Sequence, residues 1–309
     1  MTSLNRPLES SWVSRVTLGS NDPVKTAAYL AAYGHTSSAA PDIVREAARG
    51  LYGLDGPLRQ IVARPSDLSG EIQIIGTPNQ PKRMEPFQAG YHGLDFYTSD
   101  IGHSRDVAIA AGGVASNPTV YAAGKASILE SRILAKDLEY ALFISEVADR
   151  PFPSALDSQP KRQYSDIVTV VAFVDERDVE AETEFWTKNA GLELFRKDLE
   201  FDGDSMQALM DLPSKATMGA VQFCDRRRRR RLELLFYRDT DAVRSTSAQL
   251  SPGLHSIGFP VADLDRAVKA FSDVTFCDAQ TVDCGHGSAA TVSALSPSGL
   301  RFELFEASE

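Results

Sequence analysis

The strongest constraint on this chain is that it repeats itself. Four stretches, residues 13–20, 92–98, 168–174 and 255–261, open with the same strand-like apolar pattern and recur at intervals of roughly 80 residues. Each runs into an acidic helix start and a helical apolar pattern, over residues 22–33, 100–111, 176–189 and 263–272. Gly34, Gly112 and Gly191 follow three of these helices, where a left-handed C-cap favours glycine. Shorter strand-like runs come next, and the last of each unit is the clearest: residues 70–75, 138–145, 232–237 and 300–305. A strand, a helix and about three more strands cannot cover both faces of their own sheet. The units must therefore pair, which predicts an α+β fold of four βαβββ modules paired into two curved-sheet domains. The Pro- and Arg-containing segment 149–163 is the expected linker, between an N-terminal domain of modules one and two (residues 1–148) and a C-terminal domain of modules three and four (residues 164–309).

Composition narrows the function classes. A chain of 309 residues with 43% hydrophobic and 24% charged residues has ample material for two cores, which excludes wholesale disorder. Acidic residues outnumber basic ones by 42 to 32, a net charge of −10 that argues against nucleic acid as a partner. No apolar run approaches the ~18 residues of a membrane helix, and the first residues lack the apolar stretch of a signal peptide. The expectation is no membrane association and a cytoplasmic location. Cys224, Cys277 and Cys284 fit no zinc spacing and read as free thiols. No phosphate-binding loop, dinucleotide fingerprint or Gly-x-Ser-x-Gly appears, so nucleophilic catalysis has no support.

The opening segment 253–267 (GLHSIGFPVADLDRA) and the closing segment 296–306 (SPSGLRFELFE) carry a resemblance. The chain resembles the vicinal oxygen chelate superfamily, which includes glyoxalase I, bleomycin-resistance proteins and type I extradiol dioxygenases. The resemblance implies a glyoxalase- or extradiol dioxygenase-like fold, and a reaction only weakly, because the superfamily hosts isomerases, lyases, dioxygenases and pure binders. It also implies that metal-dependent members place His or Gln at the start of a first strand and Glu near the end of a last one. The matching first-strand positions here are Arg15, Gly93, Thr169 and Ser256, none of them histidine. On the closing strands the matches are Gln73, Ala141, Glu233 and Glu303.

His92 and His255 each lie one residue before the ligand position. Period-two geometry puts Ile257, Phe259 and Val261 on the helix-packed face and Ser256 towards the cup, so His255 points away unless a bulge re-aims it. A metal site would therefore need His255 and Glu303 in a shifted register. The cofactor is either none or a divalent metal, iron, manganese or zinc. The extradiol pattern also implies a His and a Tyr shortly before the closing strand, where this chain has His286 nearby and Ser293 in the place of the Tyr.

With modules paired one to two and three to four, Arg15, Asp95 and Tyr97 would share the first cup. Phe173, Ser256, Glu233, Arg301 and Glu303 would line the second. An Arg, an Asp and a Tyr on one concave face are a fair set for anchoring a polar substrate and moving a proton; the plain alternative is an Arg15–Asp95 ion pair. Arg15, Asp95, Tyr97, His92 and His255 are thus the catalytic candidates, and Phe173, Ser256, Glu233 and Arg301 the substrate-binding ones. The six arginines 226–231 read as a solvated hairpin tip, and His35 and His103 as surface residues.

Three functions follow. The first is an enzyme acting on a small oxygenated compound, aromatic and ring-containing ones included, by lyase or isomerase acid/base chemistry without the two-His-one-Glu iron site. The second is a metal-dependent extradiol-type dioxygenase or glyoxalase using His92, His255 and Glu303. The third is a bleomycin-resistance-like protein that sequesters its ligand. In each case the partner is a small molecule, and a homo-oligomer is compatible with all three.

Overall fold

The computed structural model describes residues 13–65, 70–79, 87–134, 140–150, 154–159, 161–224, 231–238, 240–243, 249–271, 273–285 and 287–306. Module one contains β1 (Arg15–Ser20), α1 (Pro23–Ala31), β2 (His35–Ile43), α2 (Arg45–Tyr52), β3 (Leu58–Pro65) and β4 (Glu71–Gly76). Module two contains β5 (Gly90–Thr98), α3 (Ile101–Ala110), β6 (Val114–Ala115), β7 (Thr119–Ala123), β8 (Ala126–Leu134) and β9 (Ala141–Glu146). A short helix α4 (Ala155–Ser158) leads to module three: β10 (Tyr164–Phe173), α5 (Val179–Glu184), β11 (Glu193–Phe201), α6 (Gly203–Met210), β12 (Met218–Cys224) and β13 (Arg231–Tyr237). Module four contains β14 (Gly253–Val261), α7 (Leu264–Ala270), β15 (Gln280–Asp283), β16 (Ser288–Leu295) and β17 (Arg301–Glu306).

The helix starts are held by the acidic residues that the sequence singles out. Asp22, Asp100 and Asp263 accept hydrogen bonds from the backbone N–H of Lys25, His103 and Arg266, satisfying donors that a helix N-terminus leaves open. Gly34, Gly112 and Gly191 take φ of 80°, 82° and 87°, the left-handed region expected of a helix exit. The third helix departs from its expected single span: a 3₁₀ turn (Glu176–Asp178), α5 and a π turn (Phe185–Asn189) share it.

Two sheets result, and their pairing corrects the expected cups. The eight-stranded sheet runs β15-β16-β17-β14-β1-β4-β3-β2, joining module one to module four. The nine-stranded sheet runs β11-β12-β13-β10-β5-β9-β8-β6, joining module two to module three, with β7 on β8. Each joint is an antiparallel pair of first strands, β1 with β14 and β10 with β5. The physical reason lies in proximity along the chain: modules two and three are consecutive, and between them α4, closed by a capping box between Ser154 and Asp157, packs Leu156 with Tyr97 of β5, Val168 of β10 and Val147 just after β9. With β10 paired to β5, module one is left to pair with module four.

The convex faces of both sheets contribute to one apolar core. Ile257, Phe259 and Val261 pack there with Trp186 and with Leu264 and Ala267 of α7, as the alternation predicts. His35 belongs there too, 3% exposed with its ring edge-on to Phe96, so the surface expectation for it is corrected; His103 is exposed. The concave faces form separate clusters, each roofed by a helix inside its module. Ala47, Ala48, Leu51 and Tyr52 of α2 pack over the eight-stranded sheet. Met206, Leu209 and Met210 of α6 pack over the nine-stranded one.

Candidate active site

The two concave faces differ in what fills them. In the eight-stranded sheet the interior is a polar network, in which Glu303 Oε2 has no hydrogen-bond partner among the described residues. Arg15 Nε donates to Glu71 Oε1 at 2.7 Å, Arg64 holds the other Glu71 oxygen at 2.9 Å, and the Arg15 guanidinium lies 4.0 Å from the Phe305 ring. The Ser256 hydroxyl donates to Glu303 Oε1 at 2.5 Å, which confirms that Ser256 and not its neighbour faces the closing-strand carboxylate. Glu303 is fully buried, and burial pushes its pKa up against the opposing Ser256 hydrogen bond and Arg15 charge. Arg301 donates to Ser293 Oγ at 2.9 Å in the same sheet.

The nine-stranded sheet encloses a small open cavity of about 60 Å³. Its register grades the lining from charged to apolar along the strands. Asp95, Thr169 and Arg231 stand level; one alternation on come Val171, Glu233 and Gln222; one further on come Phe173, Leu235 and Ala220. On the other side, Ser145 pairs with Tyr97 and Glu130 at the charged end. Met206, Met210 and Met218 line the apolar part. Methionine is flexible and polarisable, a wall that adapts to the shape of an apolar group.

At the charged end the side chains are linked. Ser145 Oγ lies 3.0 Å from Asp95 Oδ1 and 2.6 Å from Glu130 Oε1. The Tyr121 hydroxyl donates to Glu130 Oε2 at 2.8 Å. Arg231 Nη2 stands 3.6 Å from Asp95 Oδ2. Gln222 donates to Glu233 Oε1 at 2.5 Å. Burial pushes Asp95 up to about 6, with the Arg231 charge opposing. Burial, and then the nearby Asp95, push Glu130 up to about 8. Tyr97 is raised to about 12 by burial, and its hydroxyl has no hydrogen-bond partner among the described residues. Gln222 Oε1 is likewise buried without a partner there, so the cavity offers an open donor and an open acceptor.

Of the residues expected from sequence, Asp95, Tyr97 and Glu233 line this cavity. Arg15, Ser256, Arg301, Glu303 and His255 lie in the other sheet. The expected union of Arg15 with Asp95 and Tyr97 is therefore corrected: Arg15 pairs with Glu71, and the arginine beside Asp95 is Arg231. Phe173 packs at the apolar end, stacked 5.0 Å from Tyr237, and not beside Ser256. Glu130, Tyr121 and Gln222 sit on middle strands, where no repeated position marks them, and Ser145 ends the last strand of module two as a serine with no motif around it. The last of the six arginines is buried at 7% exposure and not solvated; residues 226–230 lie outside the described residues, as does His286.

Both histidines sit at β-bulges. Thr17 pairs with Ser256 and Leu18 with Leu254, leaving His255 as the extra residue; Val171 pairs with Gly93 and Ala172 with Tyr91, leaving His92. The bulges re-aim the rings, but towards aromatic neighbours. His92 lies 4.5 Å from the Phe173 ring and hydrogen-bonds the Gln88 carbonyl at 2.6 Å. His255 lies 5.8 Å from Tyr52. Burial lowers both imidazoles to about 3, so both are neutral.

The donor set does not fit the metal that the sequence resemblance implies. In the cavity the four ligand positions hold Gly93, Thr169, Glu233 and, by strand register, Phe143 where the sequence alignment suggested Ala141. A Cβ added at Gly93 would stand 2.4 Å from the Phe143 ring, so an aromatic ring occupies the place of a ligand side chain. In the other sheet the Arg15 cation takes one of the four positions. Among the described residues no group of three or more His, Cys, Asp and Glu side chains is placed to hold a metal ion.

The four paired modules give the chain the fold of the vicinal oxygen chelate superfamily. Solved structures that share it include glyoxalase I from Zea mays, 15% identical, covering 96% of this chain and 92% of that one with a TM-score of 0.62. A protein of Bacillus subtilis assigned as a dioxygenase is 10% identical, covering 95% of this chain and 84% of that one with a TM-score of 0.58. No family model and no curated protein matches the sequence. Among the described residues no helix is long and apolar enough to cross a membrane.

Proposed function

We propose that the cavity between modules two and three is the active site of an enzyme that moves protons on a small oxygenated compound, by lyase or isomerase chemistry without a bound metal. The observation that carries this reading is Asp95, a buried carboxyl with a pKa pushed up to about 6, facing a cavity beside Arg231. A base poised near the working pH combines a usable ionised fraction with proton affinity. Asp95 would take a proton from carbon next to an oxygenated carbon. Arg231 and the Tyr97 hydroxyl would hold the oxygen on which negative charge develops.

The grading of the walls supports an amphipathic substrate: a carbonyl or hydroxyl head at Asp95, Tyr97 and Arg231, and an alkyl, aryl or ring-containing tail among the methionines. The head would meet both carboxyls and arginines, Asp95 and Glu233 beside Arg231 and Arg196, a set that suits a polar group able to donate and accept. The ligand positions support no step through a metal, which removes support from the dioxygenase and glyoxalase readings. The adaptable methionine wall also suits the sequestering alternative.

A thermal-shift panel of neutral hydroxy and oxo compounds, followed by product analysis of those that bind, separates the two. The enzyme reading expects an isomerised or dehydrated product. Tight binding with every ligand recovered unaltered supports sequestration and removes the enzyme.

A further inference from the structure

Ser145 has one hydroxyl hydrogen but stands within hydrogen-bond distance of two carboxyl oxygens, 3.0 Å from Asp95 Oδ1 and 2.6 Å from Glu130 Oε1. It can donate to only one of them. The second contact is satisfied only if that carboxyl carries a proton and donates to Oγ. Tyr121 already donates to Glu130 Oε2, so a proton on Glu130 Oε1 completes an ordered chain. In that chain Glu130 donates to Ser145, and Ser145 donates to Asp95.

We infer that Glu130 is the general acid paired with Asp95 as base, and that Ser145 returns the proton between them after each turnover. The inference rests on the acid/base reading of the cavity. In a lyase turnover Asp95 takes the C–H proton while the bonding pair enters a new C=C, and Glu130 gives its proton to the substrate oxygen, which leaves as water. Asp95 is then neutral and Glu130 charged. Transfer from Asp95 to Ser145 Oγ, with transfer of the serine hydrogen to Glu130, restores both without a proton from solvent.

The groups facing this pair agree with the assignment. Glu130 is buried, with Asp95 and Glu233 as neighbouring carboxyls that disfavour its charge, and the Tyr121 hydroxyl as a donor to it. Of the two arginines that line the cavity, Arg196 and Arg231, it is Arg231 that stands next to Asp95. The environment therefore sorts the two carboxyls into one acid and one base, as in enzymes that run both chemistries near neutrality.

The test is carboxyl ¹³C NMR of substrate-free protein labelled at Asp and Glu, for wild type, Ser145→Ala, Ser145→Thr and Glu130→Gln. The Glu130 resonance is expected to stay that of the acid through pH 7 and to change near pH 8, with Asp95 changing near 6. Ser145→Ala should uncouple the two transitions, and Ser145→Thr, which keeps the hydroxyl, should restore the coupling. Circular dichroism checks that each variant is folded. A Glu130 already ionised at pH 6, or two titrations unchanged by Ser145→Ala, overturns the relay and leaves the Asp95 base standing. Titrations as expected in a protein that converts none of the compounds it binds contradict the enzyme reading itself, and the relay with it.

Discussion

Replacing Glu130 by Gln should make the protein more stable as the pH rises. The carboxyl is pushed from 4.5 to about 8 in the folded chain, so between those values the native state holds a proton that the unfolded chain has released. A group raised in this way contributes its full stability below the unfolded value, and that stability is lost as the pH rises through the folded one. One bound proton gives a slope of about 1.4 kcal/mol per pH unit. Allowing for the half-titrated state near pH 8, wild type should lose about 2 kcal/mol from this group between pH 6 and 8. Asp95, raised to about 6, acts with the same sign mainly at lower pH. Glutamine keeps an acceptor for Tyr121 and a donor for Ser145, so the variant retains the contacts without the titration. Urea unfolding at pH 6, 7 and 8 and constant ionic strength reads the effect. The stability of Glu130→Gln relative to wild type should grow by about 2 kcal/mol over that range. Parallel curves for the two proteins refute the argument that Glu130 is held neutral by its surroundings.

Other outcomes follow from the same geometry. Gly93→Ala should cost about 1–3 kcal/mol in chemical denaturation, since its Cβ would meet the Phe143 ring at 2.4 Å. Arg15→Met should cost about 1–3 kcal/mol, because it removes one of the two arginines that hold the buried Glu71 and leaves Arg64 as the other. Ligand affinity in the cavity, measured by calorimetry, should not change, for Arg15 lies in the other sheet. Arg231→Met should cost about 3 kcal/mol at pH 8 and less at pH 5, where Asp95 relieves its lost partner by protonating. With Asp95 near 6 and Glu130 near 8, kcat/KM should trace a bell whose limbs fall at about those values.

The modular fold was legible because it is written in local signals: aspartates at helix starts, glycines at left-handed exits, and strand alternation that placed Ser256 opposite Glu303. The partnering of modules was not, since it depends on which first strands meet edge to edge, a long-range pairing that no local signal records. That error put Arg15 beside Asp95 on paper. Asp95, Tyr97 and Glu233 were legible because they are chemistry-bearing residues on first and last strands, at positions the repeat marks as facing the concave side. Glu130 and Ser145 carry no motif; only the register of β8 on β9 brings them level with Tyr97. Arg231 was hidden inside a run of identical residues, where alternation alone distinguishes the one that begins a strand. The bulges at His92 and His255 were considered from sequence, but which neighbours the turned rings meet is a matter of tertiary packing.

The most direct measurement is deuterium exchange at carbon, followed by proton NMR in D₂O with chelator-treated protein and a neutral hydroxy or oxo compound that binds it. The account expects exchange by wild type without added metal, and a loss of about 10²–10⁴-fold in Asp95→Asn with binding retained. Exchange that persists in Asp95→Asn, or that appears only when iron, manganese or zinc is supplied, contradicts it.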